Sequence, residues 1–159
     1  MLAPQPKRHP VAVCGIGTKL DPQPLVDAIL KRAEELALAV ALGDDEGHPR
    51  SRITLSLLTS DDTSRARQGS VVHILSTGTI GRIDFDGDYS FVRAINSGDE
   101  EDVNENADDF TGLAAAYLRG DGEIVKVRGW LGGSHEALVI RLGEFQYEIG
   151  PRFTNVREV

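Results

Sequence analysis

Six short segments in which apolar and polar residues alternate constrain the fold of this chain more than any other sequence feature. Three lie between residues 72 and 95, and three lie between residues 123 and 149. Alternation with a period of two places every second side chain on the same face of a β-strand. The residue pairs Asp86-Gly87 and Gly143-Glu144 are ones that tight hairpin turns prefer. The pattern therefore predicts two three-stranded antiparallel meanders, with strands over 72–75, 79–85, 89–95, 123–131, 137–142 and 145–149.

Two other segments have the spacing of helices. Asp21 and Pro22 form a helix start, because an aspartate side chain accepts hydrogen bonds from free amides and proline is tolerated in the first turn. Apolar residues then recur every three or four positions and predict an amphipathic helix over residues 22–34. A second, short helix is expected over residues 110–118, with Gly120 as its stop signal.

The segment between the first helix and the first meander allows two interpretations. Residues 36–42 alternate as a strand does, although their alanine and leucine composition would equally extend the helix. Residues 43–49 have the composition of a turn, and residues 53–57 alternate again after it. A hairpin is the interpretation that we favour.

The fold class predicted from these elements is α+β, with a predominantly antiparallel sheet or partly closed barrel and two helices. The chain has 159 residues, of which 40% are hydrophobic, and this is the size and composition of one domain. Residues 1–10 contain three prolines and are expected to form a flexible arm, whereas residues 11–159 form the domain. Residues 11–16 are expected to be its first strand. Because Cys14 is the only cysteine, neither an intrachain disulfide nor a cysteine-based zinc site is expected.

The charge of the chain is concentrated in one place. Its formal net charge is −8, and seven acidic residues without any lysine or arginine lie between residues 99 and 109, so the rest is nearly neutral. Broad attraction to nucleic-acid phosphates is therefore not expected. No stretch approaches 18 apolar residues and no signal-peptide core is present near the N-terminus, so we expect a cytoplasmic protein without a membrane partner.

The acidic run itself has three interpretations. It fits a solvated segment whose acids favour the start of the following helix, a site for a divalent ion, or a docking surface for a basic partner. For the third interpretation, the candidate partner-binding residues are Asp99, Glu100, Glu101 and Asp102.

Three further side chains are candidates for binding. Trp130, the only tryptophan, is predicted to lie on the same strand face as Lys126 and Arg128, where interface use and ordinary packing both fit. His135 follows a Gly-Gly-Ser sequence at an expected hairpin tip, where exposed side chains often serve a site. His73 and His135 are the candidate ligand-binding residues.

No catalytic residue, metal site or cofactor is predicted. Gly15 and Gly17 follow an expected strand, but the third position of the nucleotide-binding pattern is Leu20 instead of glycine. The aspartates around Gly87 alternate, yet the full calcium-loop pattern is absent and an Asp-Gly pair is also what a tight turn requires.

One local resemblance to a known family is present. The segment Val-Val-His-Ile-Leu-Ser-Thr-Gly-Thr-Ile-Gly-Arg-Ile, residues 71–83 of a region extending to residue 95, resembles a KOW-type strand-turn-strand element of an SH3-like small barrel. The resemblance lies in Gly78, Gly81 and the flanking alternation. It implies contact with RNA or protein partners. Contact with RNA would require four arginines to cluster on one face: Arg65, Arg67, Arg82 and Arg93.

The sequence therefore leaves three functional expectations. The leading one is a non-catalytic protein-interaction or assembly domain that binds a protein partner or another copy of itself. The second is a small-molecule-binding domain or enzyme with a cleft between its helices and its sheet, lined in part by His73 or His135. The third is contact with RNA or the ribosome through the KOW-like segment.

Overall fold

The computed structural model describes residues 21–44, 51–58, 66, 67, 70–86 and 89–151. The expected arm at residues 1–10 and the expected strand at residues 11–16 lie outside these ranges. The described residues form two helices and eight antiparallel strands, which confirms the α+β prediction. The elements are α1 (Gln23–Glu35), β1 (Leu38–Asp44), β2 (Ser51–Leu57), β3 (Val72–Ser76), β4 (Ile80–Phe85), β5 (Tyr89–Ala94), α2 (Glu100–Leu118), β6 (Glu123–Arg128), β7 (Ser134–Leu142) and β8 (Phe145–Ile149).

The strands form two sheets. The predicted hairpin and the first predicted meander join into one five-stranded sheet, because β2 pairs with β3 and places Ile53 opposite Ile74. The second meander is confirmed as a three-stranded sheet in the order β6-β7-β8. A single antiparallel bridge between Tyr89 and Pro151 links the edge of the larger sheet to the end of β8. The described strands do not close into a barrel.

Helix α1 agrees with the prediction to within one residue at each end. Asp21 still supplies the expected side-chain acceptor, since its carboxylate lies 2.9 Å from the amide nitrogen of Gln23. The C-terminal end is less regular: Leu36 caps the helix, and Ala37 takes a positive φ of 54°. Strand β1 therefore begins at Leu38, and the alternation predicted from residue 36 starts two residues too early.

Helix α2 is longer than predicted. It contains 19 residues, so the expected helix over 110–118 is only its second half and the acidic run forms the first half. The side chain of Asp99 caps the helix by accepting from the amides of Glu101 and Asp102, at 3.0 and 3.4 Å. Apolar residues on one side of the acidic half, including Val103 and Ala107, are buried. Capping and burial together explain why so acidic a segment is helical.

The hydrophobic core lies between the helices and one face of the five-stranded sheet, and it continues into the buried residues of β7 and β8. Helix α1 packs on α2 and on strands β1 and β2, whereas α2 contacts β2 and β3 of the larger sheet and β7 of the smaller one. Helix α2 is thus shared by the two sheets. At their junction the ring of Phe91 meets those of Phe110 and Tyr147 edge-on, with centroid distances of 6.3 and 6.0 Å.

The KOW-like segment forms strands β3 to β5 in the middle and at one edge of the larger sheet. Gly78 occupies the turn between β3 and β4 with a φ of 89°, a conformation that favours glycine. Gly81 lies inside β4, opposite Arg93 on β5. These strands belong to an open sheet, so the small barrel that the resemblance implies is not formed by the described residues.

Candidate interaction surface

The β6–β7 hairpin extends beyond the packed part of the domain. Its register places Lys126 opposite Glu136 and Arg128 opposite Ser134. Residues 134–136 are exposed on both faces of the hairpin, whereas Ala137, the next residue of β7, is buried. At a rise of about 3.3 Å per residue, the apex stands roughly 15 Å beyond that buried base. We call residues 126–136 the finger.

The apex of the finger is a glycine-bounded turn. The amide of Gly129 donates to the carbonyl of Gly133 at 2.6 Å, and the amide of Gly132 donates to the carbonyl of Gly129 at 3.1 Å. Gly132 has a φ of 87°, as expected for a three-residue hairpin loop whose last residue is left-handed. Trp130 and Leu131 occupy the central positions of this turn. The predicted strand over 123–131 was therefore too long, since β6 ends at Arg128.

The two apex side chains are almost fully exposed. Trp130 retains 95% of its accessible surface and Leu131 retains 84%, the two largest values among the large hydrophobic residues that the structure describes. Burying such a side chain is worth about 1.5–3 kcal/mol, and the described fold obtains none of this at the apex. Adjacent exposed apolar side chains mark surfaces that bind a partner, and tryptophan is enriched among the residues that dominate binding energy.

Three of the described arginines form ion pairs within the fold, whereas the cations of the finger, like several other arginines, do not. Arg32, Arg82 and Arg93 each form an ion pair with an aspartate. Within the described residues, Arg128 and Lys126 form no ion pair, although Glu136 lies opposite Lys126 in the register. Both side chains are exposed and project from the same face of β6. The apolar apex therefore has positive charge directly behind it.

The acidic run of α2 separates into acids with an internal partner and acids without one. Asp99 caps the helix, and Asp102 accepts from the amide of Asn96 at 2.7 Å. Asp108 pairs with Arg32 and Asp109 with Arg93. Three glutamates remain that contact no cation among the described residues: Glu100, Glu101 and Glu105.

These three glutamates lie on the exposed face of α2, beside a shallow depression that is lined by this helix alone and that we call the acidic groove. Asn104 and Asp108 complete its lining. Of the predicted partner-binding residues, Glu100 and Glu101 lie in this groove, whereas Asp99 and Asp102 hold the start of the helix together. The domain thus presents a finger with an apolar apex, behind which lie Lys126, Arg128 and Glu136, and a separate acidic groove.

The two candidate ligand-binding histidines are not brought together. His73 lies in β3 on the outer face of the five-stranded sheet, opposite Asp84 on one side and Thr54 on the other. Its Nδ1 hydrogen-bonds the hydroxyl of Thr54 at 2.9 Å. His135 is an exposed residue of the finger, on the other sheet. No shared pocket follows from this arrangement.

His73 is partly buried among polar and charged neighbours. Burial, with a smaller contribution from Arg52, lowers the pKa of His73 below 6.5, against the opposing pull of Asp84 and Asp86. The carboxylate of Asp84 accepts from Ser90 at 2.6 Å and from Arg82 at 3.1 Å. Because these bonds do not include His73, Asp84 does not orient the imidazole as the aspartate of a catalytic triad does. Across the residues that the structure describes, no group of three potential metal ligands converges.

The arginines of the KOW-like hypothesis do not form one face. Arg65 lies outside the described residues. Arg82 and Arg93 project from opposite faces of the five-stranded sheet, since Arg93 pairs with Gly81, the neighbour of Arg82 in β4. Arg67 stacks on the ring of Tyr117 at 4.3 Å and donates to the carbonyl of Gly122 at 3.1 Å. Burial raises the pKa of that tyrosine, and the arginine above it opposes the shift.

Comparisons with known proteins do not assign this chain to a family. The chain matches no protein-family model, and no curated protein or solved structure is significantly similar to it. Among the described helices, none has the length and apolar character needed to cross a membrane. The class that can be stated is therefore an α+β domain with antiparallel sheets.

Proposed function

We propose that this chain is a non-catalytic protein-interaction domain that assembles with copies of itself, and that the finger makes the contact. The observation that carries the proposal is the pair Trp130 and Leu131, held at the apex of a hydrogen-bonded turn and almost completely exposed. Tryptophan and arginine are enriched among the residues that dominate binding energy at protein interfaces, and Arg128 adjoins the turn. The single cysteine fits a reducing compartment, and we propose a cytoplasmic location.

The contact is expected to be weak. An aromatic side chain buries about 150–250 Å². Trp130, Leu131 and the adjoining cations together therefore bury less than the roughly 800 Å² per partner of a standard stable interface. Association should accordingly depend on protein concentration within the micromolar range.

Light scattering over a hundredfold range of concentration tests this proposal. We expect the weight-average mass of the wild-type chain to rise with concentration, and that of the double variant Trp130→Ser/Leu131→Ser to stay at one copy. Phe145→Ser is the matched control, because Phe145 is an exposed aromatic residue on β8 outside the finger, 71% accessible. It should associate as the wild type does.

The sole tryptophan supplies a second readout. Trp130 should be readily quenched by acrylamide in dilute solution and progressively protected as the copies associate. A wild-type chain that remains a single copy throughout, or a double variant that associates as strongly as the wild type, would show that the finger is not an assembly element.

A ligand-binding function has less support. The proposed cleft would draw on His73 or His135, yet one lies on the outer face of the larger sheet and the other on the finger. Binding of RNA through the KOW-like segment likewise lacks a shared basic face, since its two sheet arginines project in opposite directions and each pairs with an aspartate.

A further inference from the structure

The described strands leave two free sheet edges. The two sheets approach each other at β5 and β8, where Tyr89 forms a bridge with Pro151. The amide of Ser90 also donates to the carbonyl of Gly150 there, at 3.3 Å. Strands β1 and β6 are therefore the outermost strands of the two described sheets, and the end of β6 belongs to the finger. An outermost strand presents a row of backbone N–H and C=O groups that pairs readily with another extended segment.

Strand β1 lacks the features that usually protect such an edge. It pairs with β2 at every position of its length without a bulge, and residues 38–43 contain no proline and no charged residue. Its main contacts among the described elements are with β2 and α1. Exposed leucines lie at both of its ends: Leu42 within the strand, and Leu58, which follows the partner of Leu38 in β2. Each of these two leucines is 62% accessible.

We propose that β6 of one copy pairs, antiparallel, with the free edge of β1 of a second copy, so that the finger continues the five-stranded sheet of its neighbour. This inference rests on the proposed function and names the surface that receives the finger. Every strand pair of the described fold is antiparallel, and antiparallel pairing is slightly more stable per residue than parallel pairing. This orientation directs the apex toward the start of β1, where Trp130 and Leu131 reach Leu58 across two strand spacings, about 10 Å.

Pairing of unlike edges covers more of the exposed apolar surface than pairing of like edges. Two β1 strands paired with each other would leave both apices exposed, because the finger belongs to the other sheet. Two β6 strands paired with each other would leave the β1 edge and its leucines uncovered. The apex alone buries less than the roughly 800 Å² per partner of a stable interface, and pairing along β6 adds area and main-chain hydrogen bonds. Because the two edges differ, the contact is head-to-tail and continues as an open chain unless a ring closes.

Amide hydrogen exchange of the wild-type chain tests the pairing directly. Exchange in β1 and β6 should slow over the concentration range in which the mass rises, whereas exchange in β3, inside the larger sheet, should change little. In the finger variant Trp130→Ser/Leu131→Ser, exchange in β1 should not depend on concentration. Protection of β1 that is the same at every concentration would show that the edge is covered within one copy, and this result would overturn the inference.

A mixing experiment uses an edge variant, Ala39→Lys/Ala41→Lys, because lysines are a device by which natural sheet edges avoid pairing. Val92→Lys/Ala94→Lys is the matched control, since it adds the same charge to the same face of β5, at the opposite side of the same sheet. The edge variant should associate about threefold to tenfold more weakly than this control. An equimolar mixture of the edge variant and the finger variant has one intact finger and one intact edge per pair, so it should form a complex of two copies and grow no further.

The outcomes distinguish this inference from the proposed function. If the wild type associates and the finger variant does not, but β1 gains no protection and the edge variant equals its control, the finger is an assembly element and its receptor is not β1. If the finger variant associates as the wild type does and β1 is protected in it, β1 pairs with a segment other than the finger, and both proposals fall. Both also fall if the wild type does not associate. The exchange result does not depend on how well the lysine variants fold, because it is measured on the wild-type chain.

Discussion

Gly81 is the position at which a single added methyl group should disturb the fold most clearly. A Cβ atom built on Gly81 would lie 2.5 Å from Cδ1 of Ile95 and 2.5 Å from Cε2 of Phe110. Ordinary contacts between such carbon atoms begin near 3.5 Å, so each of the two side chains must move by about 1 Å or the strand must shift. Both side chains belong to the buried core, where there is little free space.

We therefore expect Gly81→Ala to be destabilising. Inserting a methylene into a packed core costs about 1–3 kcal/mol. Replacing glycine by alanine inside a strand returns roughly 0.5–1 kcal/mol through lower entropy of the unfolded chain. The net loss should be about 0.5–2 kcal/mol, which in a domain of this size lowers the melting temperature by roughly 1–8 °C.

Urea unfolding followed by far-ultraviolet circular dichroism is the suitable assay. Tryptophan fluorescence would report poorly on unfolding, because Trp130 is already exposed in the folded chain. Gly43→Ala is the matched control: Gly43 also lies in a strand, and a Cβ built there meets nothing within 4 Å. This control should be neutral or slightly stabilising.

A double variant tests the mechanism directly. Ile95→Val removes the Cδ1 atom, one of the two atoms that lie 2.5 Å from the added methyl group, so its combination with Gly81→Ala should be less destabilising than the sum of the single changes. A favourable coupling of at least about 0.5 kcal/mol is expected for residues in contact. If Gly81→Ala is as stable as the wild type, or if the two changes are additive, close packing is not the reason for this glycine.

Two further predictions concern residues that the sequence singled out as candidate binding groups. Asp99→Ala should lower the free energy of unfolding by about 1 kcal/mol through loss of the α2 cap, whereas Asp99→Asn should keep most of it; equal losses in urea unfolding would contradict the capping role. For His73, the folded pKa is lowered, so the unfolded chain binds the proton more tightly. Stability should be full above pH 6.5 and decline as the pH falls through 6.5 toward the folded pKa. The decline between about pH 7.5 and 5.5 should be smaller in His73→Gln, and an identical decline would refute the burial argument.

Patterns among neighbouring residues in the sequence were sufficient to predict most of the strands. The alternation over 72–95 and 123–149 and the glycine-containing turns predicted two meanders, and both are present. Such signals suffice because neighbouring strands of a meander pair through short turns, so their register depends on adjacent residues. The pairing of β2 with β3 joins segments that are farther apart, and the sequence did not predict it.

The first half of α2 was within reach of sequence reasoning and was missed. Asp99 is a good N-cap, and Val103, Ala107 and Phe110 recur at helical spacing. The many acidic residues around these three give the segment the composition of a loop. Burial of those three residues against the sheets outweighs that composition, and burial is a property of the tertiary structure.

The finger and the acidic run show most clearly which properties depend on neighbouring residues and which depend on the folded structure. The sequence by itself determined the α+β class, the hairpins and the charge of residues 99–109, because each depends on residues that are neighbours along the chain. Tertiary structure alone decided which acids of this run are neutralised, because the partners of Asp108 and Asp109 are Arg32 and Arg93, which come from other elements. It also decided that Trp130 stands at an exposed apex, because the finger extends past the point where the core ends.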